Sequence, residues 1–90
     1  TGEQYGDRFP LGGGTTNIGR HPNSDIVLDD ITVSRRHAQV VYQDGAFFVR
    51  DVGSLNGTYV NQQRTEEARL YHGDEVQVGK FRLVFFDRTE

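Results

Sequence analysis

Cysteine is missing from this 90-residue chain, which excludes disulfide staples and thiolate chemistry. That fits a reducing compartment, and the cytoplasm is the expected location. Long apolar runs are missing as well. None approaches the ~20 residues of a membrane helix, and no signal-peptide pattern is visible, so membrane insertion is not expected. Positive charge is scarce: ten Lys and Arg against 13 Asp and Glu leave a formal charge of -3. A nucleic-acid binder needs a dense positive footprint, so nucleic acid is not an expected partner and any anion site must be local. Hydrophobic residues make up only 34% of the chain, but four tyrosines and six phenylalanines supply bulky core material. The length suits one small domain, spanning residues 1–90.

Helical periodicity is the next absence. The only stretch that could turn helically is Gln63–Ala68, which is short and polar. What is present is a series of short apolar stretches broken by turn residues. Strands are predicted over Arg8–Leu11, Thr15–Arg20, Asp25–Leu28, His37–Gln43, Ala46–Val52, Gly57–Val60, Asp74–Val78 and Lys80–Phe86. Glu75-Val76-Gln77-Val78 alternates with the period of a half-buried strand. Phe81, Leu83 and Phe85 alternate with Arg82, while Val84 and Phe86 predict burial of both faces. Gly12-Gly13-Gly14, Gly73-Asp74 and Gly79-Lys80 mark turns, and Asp44-Gly45 reads as a hairpin turn. Many short strands at close spacing predict an all-β sandwich or barrel.

Three polar connections carry the chemistry: His21–Ser24, Asp29–Arg36 and Gly53–Asn56. Loops on a rigid scaffold are where binding residues gather. Arg20 precedes the first; Thr32, Ser34, Arg35 and Arg36 lie in the second; Ser54 and Asn56 lie in the third. Guanidinium, hydroxyl and amide groups on neighbouring loops suit a dianionic phosphate: Arg offers a planar fork, Ser a short O–H donor, and backbone N–H groups complete the shell. A phosphate monoester carries about -1.5 to -2 charges at pH 7, so one or two cations suffice. Each residue also has a plainer reading. Arg20 alone is an ordinary surface arginine, Ser34 a turn residue, and Asn56-Gly57 a type I′ turn.

Catalytic and metal signatures are lacking. Ser34, His37 and Asp51 could be drawn as nucleophile, base and orienter, but no nucleophile-elbow glycines surround Ser34. Gly12–Gly14 is not followed by the Lys-Ser/Thr of a phosphate-cradling P-loop. His21, His37 and His72 have no zinc-like spacing, and Asp29-Asp30 without further ligands reads as a solvated turn rather than a cation site. No enzyme, metal or cofactor is expected. The Cys and Trp of an immunoglobulin sandwich are also absent.

Ile18-Gly19-Arg20, Ser34-Arg35-Arg36-His37 and Ser54-Leu55-Asn56-Gly57-Thr58, in that order between β-rich runs, resemble the forkhead-associated (FHA) family, whose pattern is Gly-Arg, Ser-x-x-His and Asn-Gly. The resemblance covers about residues 8–86. It implies a twisted two-sheet β-sandwich with phosphopeptide-binding loops at one end, a non-catalytic module acting downstream of Ser/Thr protein kinases. Its partners would be phosphothreonine-containing proteins and those kinases. Arg20 and Ser34 match the positions that grip the phosphate, and Arg35 one that adds a phosphate or backbone contact. Asn56 matches the amide that bonds the peptide main chain, with Leu55 and Thr32 as further peptide-contacting positions. Gly19, His37 and Gly57 match scaffold positions, His37 pinning the second loop. Leu55 departs from the Thr common in the family. The alternative is an interaction sandwich that does not depend on phosphorylation.

Segments 19–30, 32–38, 51–61 and 73–85 look like the small actinobacterial FHA regulators of central metabolism. Those carry a threonine-phosphorylated N-terminal tail that folds back on the domain; no such tail lies within these 90 residues. Relatives also begin with an apolar strand that Thr1–Gly6 does not resemble, so the chain reads as a piece of a larger protein. Without that strand, Lys80–Phe86 is expected to present an apolar edge, with self-association through it or a poor substitute strand from Thr1–Tyr5.

Overall fold

The computed structural model describes residues 8–87. Within them nine strands follow one another: β1 (Thr15–Gly19), β2 (Ile26–Val27), β3 (Ala38–Gln43), β4 (Ala46–Asp51), β5 (Thr58–Val60), β6 (Gln63–Thr65), β7 (Glu67–Leu70), β8 (Glu75–Val78) and β9 (Phe81–Val84). They form a five-stranded sheet in the order β2-β1-β3-β4-β7 and a four-stranded sheet in the order β6-β5-β8-β9. All pairings are antiparallel except β1 with β2. No helix among the described residues is long and apolar enough to cross a membrane.

Alternation explains which faces close on each other. In β8 the even positions Val76 and Val78 are buried and Glu75 and Gln77 are not. Thr16 and Ile18 of β1, Ala38 and Val40 of β3, and Val49 of β4 face the same core, which Ile26, Leu28, Leu70 and Phe85 complete. Burying each such aliphatic side chain stabilises the fold by about 1.5–3 kcal/mol. Phe47 links the sheets, with ring centroids 4.7 Å from Tyr42 and 5.3 Å from Phe85. Three core residues lie outside the strands, Leu28, Val33 and Phe85; Val33, 1% exposed, anchors the connection between β2 and β3 beside Ser34.

Several expectations need correction. Arg8–Leu11 is not a strand; Pro10 has no N–H to give a ladder, and Leu11 packs against the core from irregular backbone. Gln63–Ala68 is not helical. It holds β6 and the start of β7, which pair with β5 and β4 respectively, so the chain passes from one sheet to the other near Glu66. The β5–β6 turn uses Asn61 and Gln62 at φ 49° and 71°; both central residues are left-handed, as a tight hairpin demands, but glutamine is not the residue that announces it. Asp44-Gly45 does form a left-handed turn, at φ 54° and 81°. β9 is buried on one face only, because Val84 and Phe86 are 51% and 65% exposed. The Ile26–Val27 pairing is also shorter than the predicted Asp25–Leu28. Among the described residues β9 pairs only with β8; the question of Thr1–Gly6 as a strand lies outside them.

Gly19 sets how closely the ends of the loops approach. A Cβ there would stand 2.2 Å from the Arg35 carbonyl oxygen, and that oxygen belongs to backbone that cannot swing aside. Overpacking of this kind costs about 1–3 kcal/mol. Gly19→Ala is therefore expected to lower the melting temperature by roughly 4–20 °C. An unchanged thermal melt would contradict the close packing.

Candidate functional site

Three connections meet at one place because their backbones are stitched together. Arg20 follows β1. Its N–H donates to the Ser34 carbonyl at 3.0 Å and its Nε to the Val33 carbonyl at 3.0 Å. The guanidinium is thus held by one edge, and its terminal nitrogens remain for an outside acceptor. Ser34 Oγ accepts the Leu55 N–H at 3.0 Å, which ties the second connection to the third and leaves the hydroxyl proton to donate elsewhere. Asn56 Nδ2 donates to the Thr32 carbonyl at 3.0 Å.

His37 is fully buried, at 0% exposure. Its Nδ1 accepts the Ser34 N–H at 3.1 Å, so the proton sits on Nε2, which donates to the Gly57 carbonyl at 2.8 Å. The backbone of His37 adds a bond to Ile18 and one from Val52. One imidazole therefore fixes both connections against the end of β1.

Two carboxylates organise the loops. Asp51 Oδ1 accepts the Ser54 hydroxyl at 2.5 Å and the Thr58 hydroxyl at 2.7 Å, and Oδ2 accepts the N–H groups of Gly53 and Ser54 at 3.0 and 3.1 Å. Burial pushes this carboxyl up, but the four hydrogen bonds together outweigh it and hold the group below the usual carboxylate range. Asp30 Oδ2 accepts the Thr32 hydroxyl at 2.6 Å and the Thr32 N–H at 2.9 Å, and Oδ1 pairs with Lys80 Nζ at 3.2 Å. The Thr32 hydroxyl and N–H lower Asp30 to about 2, against a small opposing effect of burial and with Lys80 helping. Asp29-Asp30 is thus not simply a solvated turn, as expected from the sequence. Neither carboxylate was singled out for a role in the loops, although both make the local Asp-to-i+2 N–H bond that this residue favours.

The other expected site residues fall as follows. The Arg35 and Arg36 side chains are exposed, and Leu55 is 84% exposed. The Thr32 hydroxyl is engaged inside the protein, donating to Asp30 and accepting the Lys80 N–H at 2.9 Å. Asn56-Gly57 is not a type I′ turn, because only Gly57, at φ 89°, is left-handed. Ser54 faces inward, bonded to Asp51 and accepting the Gly57 N–H at 2.9 Å. No group of three or more His, Cys, Asp or Glu among the described residues could hold a metal ion.

This is an all-β sandwich whose connections present Arg20, Ser34 and Asn56 together. Residues 16–79 match the model of the FHA domain, and the chain belongs to the FHA-domain family. FHA domains are non-enzymatic binding modules. The chain is 62% identical over 84 residues to the glycogen accumulation regulator GarA of Mycolicibacterium smegmatis, covering 93% of this chain and 53% of that protein. It is 62% identical over 86 residues to the oxoglutarate dehydrogenase inhibitor of Corynebacterium diphtheriae, covering 96% of this chain and 60% of that protein. The chain therefore spans little more than half the length of these curated relatives. An FHA domain solved in a study of phosphothreonine-dependent interactions superposes with a TM-score of 0.91 at 28% identity, covering 99% of this chain and 93% of that one. EmbR of Mycobacterium tuberculosis, solved with a low-affinity phosphopeptide, superposes at 0.83 with 34% identity, covering 87% of this chain and 21% of that one.

His37→Ala would leave the Ser34 N–H and Gly57 carbonyl unpaired in the interior. Each buried orphan costs about 1–3 kcal/mol, so the substitution is expected to lower the melting temperature by at least about 4–8 °C. An unchanged melt would remove His37 from this role. The acid limb of stability is also assigned. Asp30 titrates at about 2 in the fold against 3.8 ordinarily, so its depressed value stabilises the protein fully above its unfolded pKa. That contribution is lost as pH falls from about 4 through about 2. Denaturant melts of wild type and Asp30→Ala across this window should converge at the acid end; a constant difference would contradict the assignment.

Proposed function

We propose that this chain is a phosphothreonine-peptide-binding module that acts downstream of Ser/Thr protein kinases in the cytoplasm. The observation that carries the reading is the half-satisfied state of three donors on stitched loops. Arg20 is bonded through Nε alone, Ser34 accepts but does not donate, and Asn56 uses one amide proton. A phosphate dianion takes the Arg20 terminal nitrogens and the Ser34 hydroxyl, with exposed Arg35 adding charge at the rim. The peptide main chain takes the remaining Asn56 groups. Leu55 and the loop beside Thr32 border the path of the peptide, while Gly19, His37 and Gly57 hold the loops in place. The relatives, a glycogen accumulation regulator and an oxoglutarate dehydrogenase inhibitor, support a whole protein that regulates metabolism.

Calorimetric titration with paired peptides tests this. Phosphothreonine peptides are expected to bind in the micromolar range and their unphosphorylated counterparts hardly at all. Losing a charge-assisted hydrogen bond costs about 1.5–3 kcal/mol, so Arg20→Ala should weaken binding about 10- to 100-fold with the fold intact. Phosphoserine should bind about fourfold more weakly than phosphothreonine if one methyl is buried. Binding indifferent to phosphorylation would overturn the reading in favour of a phosphorylation-independent interaction sandwich.

A further inference from the structure

The Asn56 amide is oriented by a chain of contacts that begins outside the three motif segments. Asp30 holds Thr32 at two points, hydroxyl and N–H. The Thr32 hydroxyl oxygen in turn accepts the Lys80 N–H from a turn 48 residues further along the chain, and Lys80 Nζ returns to Asp30. The same turn presses on Thr32 from the other side. A Cβ on Gly79 would lie 2.6 Å from Thr32 Oγ1 and 2.7 Å from the Thr32 carbonyl oxygen, and Gly79 sits at φ 59°. Thr32 is thus held on its side chain, its N–H and its carbonyl face. Its carbonyl oxygen is the acceptor for Asn56 Nδ2.

A carbonyl accepts only from the NH2 end of an amide, so this bond settles which way Asn56 faces. One N–H points at Thr32, and the other N–H and Oδ1 are left for an extended peptide main chain to meet. Asn56 itself is exposed, and its bond to the Thr32 carbonyl fixes its amide. The groove beside it is lined by Thr32, Asn56, Tyr59, Gln77, Gly79 and Lys80, so the latch borders the path a bound peptide would take.

Resting on the reading of the site given above, we propose that Asp30 and Thr32, clamped by the Gly79-Lys80 turn, are positioning residues that orient Asn56 for the main chain of the ligand and leave the phosphate grip to Arg20 and Ser34. The division of labour follows from the bonds. Arg20 and Ser34 are fixed through Val33, Leu55 and His37, whereas Asn56 is fixed through Thr32.

Two probes separate the roles: an alanine-rich peptide with a central phosphothreonine, and inorganic phosphate, which has no main chain for Asn56 to meet. Asp30→Ala and Thr32→Val are each expected to weaken the peptide about two- to tenfold while phosphate binding, followed by NMR shifts, stays within about twofold. Thr32→Ser, which keeps the hydroxyl, should restore peptide affinity. Adding Asn56→Ala to Asp30→Ala should cost nothing beyond Asn56→Ala alone, because both act through one amide. The Asn56 side-chain amide resonances of the unliganded protein should also move in Asp30→Ala and stay in Thr32→Ser. Equal loss of peptide and phosphate, additive losses with Asn56→Ala, or unchanged amide resonances would each overturn the proposal. A wild type that binds the peptide without regard to its phosphate would instead overturn the reading of the site, and this proposal with it.

Discussion

The junction of the second and third connections depends on an imidazole with no exposure to water. His37 accepts from the Ser34 backbone on one side and donates to the Gly57 backbone on the other. A lysine or a carboxylate could not fill that position, because the two neighbours need an acceptor and a donor in one rigid, uncharged group. The loops it joins carry polar side chains that gain little from packing. Their order comes from hydrogen bonds satisfied in the interior, where an unpaired group is costly.

The organisation of charge follows the same logic. Two carboxylates of the loops around the arginine-bearing site, Asp30 and Asp51, are turned into the loops themselves. Asp51 binds the turn that carries Ser54, and Asp30 binds the turn that carries Thr32. Each is satisfied by N–H and O–H donors, so neither projects into the region of Arg20 and Ser34. Lys80, the lone lysine of the sequence, pairs with Asp30. The net charge of the domain therefore says little about the potential at its working end, which is set by charges within about 8–10 Å at ordinary ionic strength.

Much of the architecture was legible from periodicity. The alternation in Glu75–Val78 and the Asp44-Gly45 turn reflect local rules, and they appear as expected in β8 and in the β3–β4 hairpin. The failures have a common cause. Gln63–Ala68 is polar on every side, so its extended form is imposed by β5 and β4 rather than by its own preference. The Asn61-Gln62 turn adopts left-handed backbone without the glycine that signals it. Val84 and Phe86 looked like core because apolar residues are usually read that way, yet they lie on the outer face of β9 or beyond it. At the site, Ser34, His37 and Asn56 were marked by the family resemblance, while Asp30 was read as solvent-facing charge and Asp51, at the end of β4, was weighed only as a catalytic orienter.

What the sequence by itself determined is the all-β class, the absence of thiol chemistry, and the three segments that hold Arg20, Ser34 and Asn56. These rest on composition and on interactions within a few residues, which survive without knowing the fold. Only the tertiary structure decided that the Thr32 hydroxyl faces Asp30 and Lys80 rather than outward, that Ser34 receives the Leu55 N–H, and that Asn56 is turned by a carbonyl 24 residues away. Those bonds link chain positions whose proximity is fixed by strand register and sheet packing, and no local propensity encodes that proximity.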